Sequence, residues 1–238
     1  HVNERRGIIQ VVPNWRWSMA ARVGLGLLYA ASPLFTAALA AFAVLLFCAG
    51  GELPVLERGR LVTVLRLAIA TRLALIAAAL IGAIPFLNDL SVGALRGDDF
   101  YYVARAIRAR DIMLGVTNGK YDYFIVFDEY GRTSYLQVLT VLQTLLGPAP
   151  YGLRALNALL FVAGACLLFR LVRQAYGGTT AALGLTALLF MPSLLVSSTS
   201  LLKESMYFFI TTVLLTVVVA ALRHPRLAAR LAAIAIAF

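Results

Sequence analysis

Long apolar segments constrain this chain more than any other feature, because each is long enough to cross a bilayer as a helix. A hydrocarbon core about 30 Å thick needs about 20 apolar residues of helix. Such segments occupy residues 61–87, 151–174, 179–200 and 202–222, and a further span is expected to begin near Leu227. Hydrophobic residues make up 61% of the chain and charged residues only 13%, against roughly 25% charged in a soluble domain. The sequence therefore predicts an integral membrane protein of the all-α class.

The first apolar region, residues 17–50, is ambiguous. It is long for a single span, and Ser32–Pro33 interrupts its middle, so it is either one kinked span or a hairpin of two short helices. We separate this N-terminal apolar region, residues 1–60, from a membrane module at 61–238. Because Phe238 falls inside an apolar run, we expect this module to be truncated at the C-terminus.

The segment 88–150 differs from the rest of the chain, since it is polar and aromatic and too long for a simple connection. Within it we expect juxtamembrane helices over 98–112 and 134–147, the second having too few apolar residues to cross. If it does not cross, the following arginines lie on the opposite side of the membrane from 88–150: Arg170, Arg173, Arg223, Arg226 and Arg230. The positive-inside rule then makes the loop external. The predicted fold is a polytopic transmembrane helical bundle with juxtamembrane helices in a long external loop.

The charge balance indicates which classes of molecule the protein binds. The formal net charge is +10, and the basic residues cluster beside apolar spans, as orientation signals and lipid headgroup contacts do. We therefore expect membrane lipids and no nucleic acid. Both cysteines, Cys48 and Cys166, lie inside apolar segments, which argues against a disulfide framework or a cysteine metal cluster.

Two adjacent carboxylates open the first juxtamembrane helix, in "GDDFYYVARAIRAR". Asp98 is in position to act as an N-cap, for which aspartate is a preferred residue. Capping needs only one of the pair, so Asp98 or Asp99 is left for another role. Tyr101, Arg105 and Arg108 follow Asp98 on one helix face, beside an apolar stripe. This pattern predicts an interfacial helix with arginines on lipid phosphates.

Further charged residues are expected on the same side of the membrane as the two aspartates. Lys203 and Glu204 stand between two apolar spans, where a solvated turn is the alternative to a functional site. Glu129 and Arg132 precede the second juxtamembrane helix, and Arg154 begins the next span. Ionisable residues that converge near a membrane often mark a site.

Two arginines lie inside the apolar segment 61–87. Arg66 can extend its side chain to the membrane boundary. Arg72 is near the middle of the segment, where a buried cation needs a partner or a water-filled cavity. We therefore expect Arg72 to interact with polar groups of other helices.

The order of segments resembles that of a known family. The chain reads "GDDFYYVARAI", then a loop ending in a short helix, then "GPAPYGLRALNALLFVAGACLLFRLVRQAYG" and "TTAALGLTALLFMPSLLVSSTSLLKESMYFF". Over residues 61–238 it resembles the N-terminal membrane module of the GT-C superfamily. These polyprenyl-phosphate-sugar-dependent glycosyltransferases include the protein O-mannosyltransferases and the lipid A aminoarabinose transferases. The chain departs from their pattern in having Lys203 where a small residue is commoner, and in lacking a Pro-Pro or Lys-Pro pair before the juxtamembrane helix.

The resemblance implies transfer of a sugar from a polyprenyl-phosphate donor to an acceptor glycan, lipid or protein on the external face of a bacterial plasma membrane. It implies a catalytic base at Asp98 or Asp99 and a further acidic site residue at Glu204. Such chemistry needs a carboxylate for the acceptor proton and positive charge for the leaving phosphate. A divalent metal is possible in that second role. The predicted substrate-binding residues are Tyr102, Arg105, Glu129, Arg132, Arg154 and Lys203.

Two other functions remain open at this point. A transporter or scaffold subunit would use the same charged residues to line a pathway or bind a partner. Transporters typically show internal repeats, and none is visible in the sequence. A glycan polymerase or ligase acting on the same lipids would differ mainly in parts of the protein that lie beyond residue 238.

Overall fold

The computed structural model describes residues 24, 32–51, 53–81, 97–116, 126, 134–147 and 150–223. Within these ranges all regular structure is helical and no strand occurs. The helices are α1 Pro33–Ala49, α2 Val55–Ile81, α3 Gly97–Met113, α4 Ser134–Leu146, α5 Pro150–Tyr176, α6 Gly178–Phe190, α7 Pro192–Thr199 and α8 Glu204–Arg223.

Helix α5 is the centre of the bundle and packs against α1, α2, α6, α7 and α8. Its buried face carries small residues at helical spacing, among them Ala155, Ala158 and Ala165. A Cβ atom added at Gly164 would lie 2.9 Å from Cε1 of Phe208 on α8. Small residues of this kind let neighbouring helices approach closely, so α5 can hold five partners at once.

Three helical stretches are long and apolar enough to cross a membrane: Glu57–Ala78, Tyr151–Tyr176 and Glu204–Arg223. This agrees with three of the four spans predicted from hydropathy, although α2 begins earlier than expected. The fourth, 179–200, is not one helix, because α6 and α7 meet at a bend of 60°. The described chain thus has the helices of an integral membrane protein, with a fourth candidate span that is broken.

Pro192 explains the break between α6 and α7. Proline has no N–H to continue the hydrogen-bond ladder, and it disfavours helical geometry at the preceding residue. Met191 is accordingly extended, with φ −60° and ψ 123°, and a new helix starts with Pro192 in its first turn. The segment is apolar on both sides of the break, so hydropathy alone predicted a continuous span.

Helix α1 begins at Ser32–Pro33, the interruption noted in the sequence. The Ser32 hydroxyl accepts a hydrogen bond of 3.1 Å from the Phe35 N–H, and Pro33 occupies the first helical position, where proline is favoured. A Cβ atom at Gly152 would lie 3.0 Å from the Ser32 Oγ, so α1 starts beside the start of α5. Whether 17–50 forms a kinked span or a hairpin stays a prediction, because most residues before Ser32 lie outside the described ranges.

The bundle has two distinct ends. At the first, which we call the arginine end, Arg173 of α5 donates to Glu57 of α2 at 3.0 Å, and Arg170 donates to the Cys48 carbonyl of α1 at 3.0 Å. Arg223 of α8 donates there to the Gln174 side chain. The opposite end, the loop end, holds the starts of α1, α5 and α8 together with α3 and α4.

Candidate functional site

Helix α3 carries the adjacent aspartates. It begins at Gly97, one residue earlier than expected, so Asp98 and Asp99 both lie in its first turn. The division into one capping and one reactive aspartate stays a prediction, because their side chains lie outside the described part of the structure. Carboxylates are still favourable in this turn, because the positive end of the helix dipole lies there.

A small hydrophobic cluster fixes α3 to the bundle. The ring of Tyr102 on α3 meets that of Tyr135 on α4 edge-on, with centroids 5.3 Å apart. The cluster unites α3 and α4 with the starts of α1 and α5 and with the turn before α8. Its buried members are Leu34, Ala106, Tyr135, Leu136, Leu139, Leu153 and Leu201. We call this group the loop-end cluster.

Arg105 lies on the predicted face of α3, together with Tyr101, but it is buried there rather than exposed. It is 8% exposed, and its guanidinium carbon lies 3.9 Å from the centroid of the Tyr101 ring, which is cation–π geometry. An arginine buried in this way does not extend freely to lipid phosphates. Arg108, one turn later, is exposed as expected.

The turn between α7 and α8 is held by a buried amide. Asn157 of α5 is 3% exposed, and its Nδ2 donates to the carbonyls of Ser200 at 2.6 Å and Leu202 at 3.0 Å. Lys203 is half-buried and Glu204 is exposed directly after these two carbonyls. In the described part of the chain neither charged side chain makes a hydrogen bond or ion pair. The backbone of the turn is thus fixed, while the side chains of Lys203 and Glu204 are available to bind a ligand.

Arg72 holds the break that precedes this turn, between α6 and α7. This arginine of α2 is 0% exposed, and its Nε donates to the Ser198 hydroxyl on α7 at 2.9 Å. Nη2 donates to the Leu189 carbonyl at 3.1 Å and Nη1 to the Ala68 carbonyl at 3.2 Å. The Phe161 ring lies 5.1 Å away. Arg72 therefore bridges the break between α6 and α7, because it donates to the Leu189 carbonyl on one side and to the Ser198 hydroxyl on the other. This agrees with the expectation that a buried cation needs polar partners.

The structure brings most of the predicted site elements to one end. Arg154, in the first turns of α5, is half-buried beside Leu153 of the loop-end cluster, as Lys203 and Glu204 are beside Leu201. Glu129 and Arg132 lie outside the described residues, so their predicted roles stay predictions. The side chains of Asp98 and Asp99 are likewise not described, although their helix is.

Sequence reasoning missed two residues that organise this end, Asn157 and Ser198. Both are buried; Ser198 belongs to the hydroxyl-rich stretch 197–200, whereas Asn157 lies inside an apolar run of the sequence. A polar side chain in such a run is itself a signal, because an unsatisfied hydrogen-bonding group is costly away from water. Their spacing gave no indication of which helix each would contact.

No group of three or more His, Cys, Asp or Glu side chains able to hold a metal ion occurs among the residues that the structure describes. Comparison with protein-family models, curated proteins and solved structures finds no match. The resemblance to the GT-C superfamily therefore rests on the sequence pattern alone.

Proposed function

We propose that this chain is the membrane module of a glycosyltransferase that moves a sugar from a polyprenyl-phosphate donor to an acceptor hydroxyl at the loop end. One observation carries the proposal: the loop-end cluster packs together three elements that bear charge. These are α3 with its two aspartates, the start of α5 with Arg154, and the turn with Lys203 and Glu204. Carboxylates and cations at one end are the groups that such a transfer requires.

In the proposed reaction, Asp98 or Asp99 accepts the proton of the acceptor hydroxyl as its oxygen bonds to the anomeric carbon. The bond from that carbon to the phosphate oxygen breaks, and the polyprenyl phosphate leaves with the electron pair. Arg154 or Lys203 stabilises the negative charge on the leaving phosphate, a role that a divalent metal can also fill. Glu204 is proposed to face the same site.

The remaining predicted residues are proposed to bind substrate around this centre. Tyr102 and Arg105 lie on α3 within two turns of the aspartates, and their helix is held by α4. Glu129 and Arg132 are assigned to the same role from the sequence alone. The acceptor is a glycan, a lipid or a protein, and the donor lipid enters from the surrounding membrane.

The proposed topology places the loop end outside a bacterial plasma membrane, with α4 along the interface. Helix α4 has 13 residues and is about 20 Å long at 1.5 Å per residue, short of a 30 Å core. Val138, Val141 and Leu145 form an exposed apolar stripe on it, which suits contact with acyl chains. A cysteine introduced at Asn118 should react with a membrane-impermeant maleimide in intact cells. Protection there, with labelling of a cysteine placed at Arg226, would invert the topology.

The catalytic assignment is tested by Asp98→Asn and Asp99→Asn in the full-length protein. Asparagine cannot take up the proton as a carboxylate does, so the reactive position should lose about 10²–10⁴-fold in turnover. At the other position only the dipole interaction changes, worth about 0.3–1 kcal/mol of stability. Sugar transfer from a polyprenyl-phosphate donor is the measurement, and Glu204→Gln should also impair it. Thermal stability of each variant is the control, and near-normal turnover in both aspartate variants contradicts the proposal.

A transporter is the second candidate, favoured by the bent pair α6 and α7 and by a buried arginine beside the bend. Broken helices with nearby ionisable groups are typical of transporter binding sites. However, all three nitrogens of the Arg72 guanidinium donate to protein groups, which favours a structural role for this cation. Uptake of a labelled solute by proteoliposomes, unchanged by the aspartate substitutions, would favour the transporter.

A further inference from the structure

A second site is suggested by a groove at the arginine end, between the end of α1 and the start of α2. Its volume is about 770 Å³. Apolar side chains from both helices form most of its walls, and two arginines of α2 line it as well. The residues that define it are Leu46, Phe47, Val55, Arg58, Val62 and Arg66.

The length and exposure of this groove match one leaflet of a bilayer. From Val55 to Arg66 the helix rises about 16 Å at 1.5 Å per residue, which is about half of a 30 Å hydrocarbon core. Phe47 is 80% exposed and Val55 89% exposed, so the apolar walls are open to the surroundings. A single acyl chain has the shape and polarity to occupy such a groove.

The charge of the groove favours an anionic occupant. Arg58 and Arg66 are the charged residues among those that line it, and both are exposed. A second groove of about 810 Å³, on the other side of α2, is lined by Arg60 and also by Glu57. The second groove therefore contains both signs of charge, whereas the charged residues that the structure describes in the first groove are positive only.

The position of Arg58 places that charge at the groove mouth. A Cβ atom added at Gly50 would lie 2.5 Å from Cγ and 2.9 Å from Nε of Arg58, so this side chain lies over the end of α1. Arg66, eight residues further along α2, can extend along the groove towards the headgroup level, as long basic side chains do. Basic residues between helices at a membrane boundary are a known means of binding acidic headgroups.

We propose that this groove binds one anionic glycerophospholipid of the surrounding membrane. Its phosphate contacts Arg58 and Arg66, and an acyl chain lies along Leu46, Phe47 and Val62. The site lies at the opposite end of the bundle from the loop-end cluster, so the inference does not rest on the proposed sugar transfer. It assigns a lipid-binding site that is separate from the proposed donor site.

The test measures lipid retention by native mass spectrometry, with the full-length protein equilibrated in micelles containing equal amounts of phosphatidylglycerol and phosphatidylcholine. The wild type should retain one phosphatidylglycerol that the variant Arg58→Gln/Arg66→Gln loses, its affinity falling at least tenfold. Arg60→Gln, which removes a charge of the second groove, is the matched control and should retain the lipid. Equal retention of the two lipids by the wild type, or equal phosphatidylglycerol retention by wild type and double variant, overturns the proposal.

A second measurement covers the case in which the double variant does not fold. Phosphatidylglycerol with a photoactivatable acyl chain should label wild-type peptides containing residues 43–47 or 55–66 more strongly than the corresponding phosphatidylcholine does. Labelling confined to α8, or equal labelling by both lipids, contradicts the assignment. A structure in which residues 17–31 of the chain itself fill the groove would also contradict it.

Discussion

The two ends of this bundle hold their helices together by different means. At the arginine end the contacts are partly exposed and involve charge, as in the pair Arg173–Glu57, whose side chains are 31% and 42% exposed. At the loop end the contacts are buried and run from side chains to backbone carbonyls, as Asn157 does to Ser200 and Leu202. There Lys203 and Glu204 take no part in holding the helices.

This difference bears on what each end can do. The arginines that connect helices at the arginine end already have protein groups as hydrogen-bond partners. At the loop end, the uncharged Asn157 fixes the turn before α8, which leaves Lys203 and Glu204 of that turn able to meet a substrate. Preorganised charge of this kind is what an electrostatic site needs, because it avoids reorganisation during the reaction.

The largest expected effect comes from Arg72→Lys, which keeps the charge but removes the guanidinium. One ammonium cannot serve the Ser198 hydroxyl and the Leu189 carbonyl in the same geometry, while the cost of burying a cation remains. Losing about two charge-assisted hydrogen bonds should lower the free energy of unfolding by about 3 kcal/mol. Reversible unfolding in mixed micelles measures this free energy for the wild type and the variant. Arg60→Lys, exposed on the same helix, is the control; equal stability of the two variants would show that Arg72 does not hold the break.

This residue also shows how far the sequence could predict the molecule. Hydropathy and length predicted the helices around Arg72, and burial near mid-span predicted its need for partners. The partners themselves followed from the break at Pro192, which frees the α6 carbonyls and which no hydropathy average detects. Local chemistry thus indicated the requirement, and only the tertiary arrangement determined how it was met.

The candidate site was predictable to a similar degree. The order of segments and the arginine distribution indicated that Asp98, Arg154 and Glu204 belong to one end, where the structure places their helices. The burial of Arg105 on α3 was not predicted, since a helical stripe does not reveal whether a neighbour covers it. Asn157 was missed because its two acceptors, Ser200 and Leu202, are more than 40 residues away along the chain.

A smaller effect on stability, with a larger one on turnover, is expected for Asn157→Leu. Leucine has a similar volume but no donor, so the carbonyls of Ser200 and Leu202 lose their buried partner at a cost of about 2 kcal/mol. Lys203 and Glu204 then shift with the turn, and sugar transfer should fall at least tenfold, since small misplacements are costly to catalysis. The control is Thr186→Val on α6, an exposed polar-to-apolar change. Full turnover in Asn157→Leu would show that the position of the turn does not matter for the proposed sugar transfer.

The smallest effect is expected at the arginine end, from the ion pair between Arg173 Nε and Glu57 Oε2, which are 3.0 Å apart. Partly exposed pairs contribute about 0.2–1 kcal/mol, because solvent screens them and ordering two long side chains is unfavourable. A double-mutant cycle with Glu57→Gln and Arg173→Gln should give a coupling energy in this range, falling as salt is raised. Sugar transfer should stay within about twofold of wild type in all three variants. A coupling energy above about 2 kcal/mol would show that this exposed pair holds its helices as strongly as the buried contacts do. A loss of sugar transfer as large as that of Asn157→Leu would show that exposed charge at the arginine end also determines the geometry of the loop end. Either result would remove the distinction between the two ends.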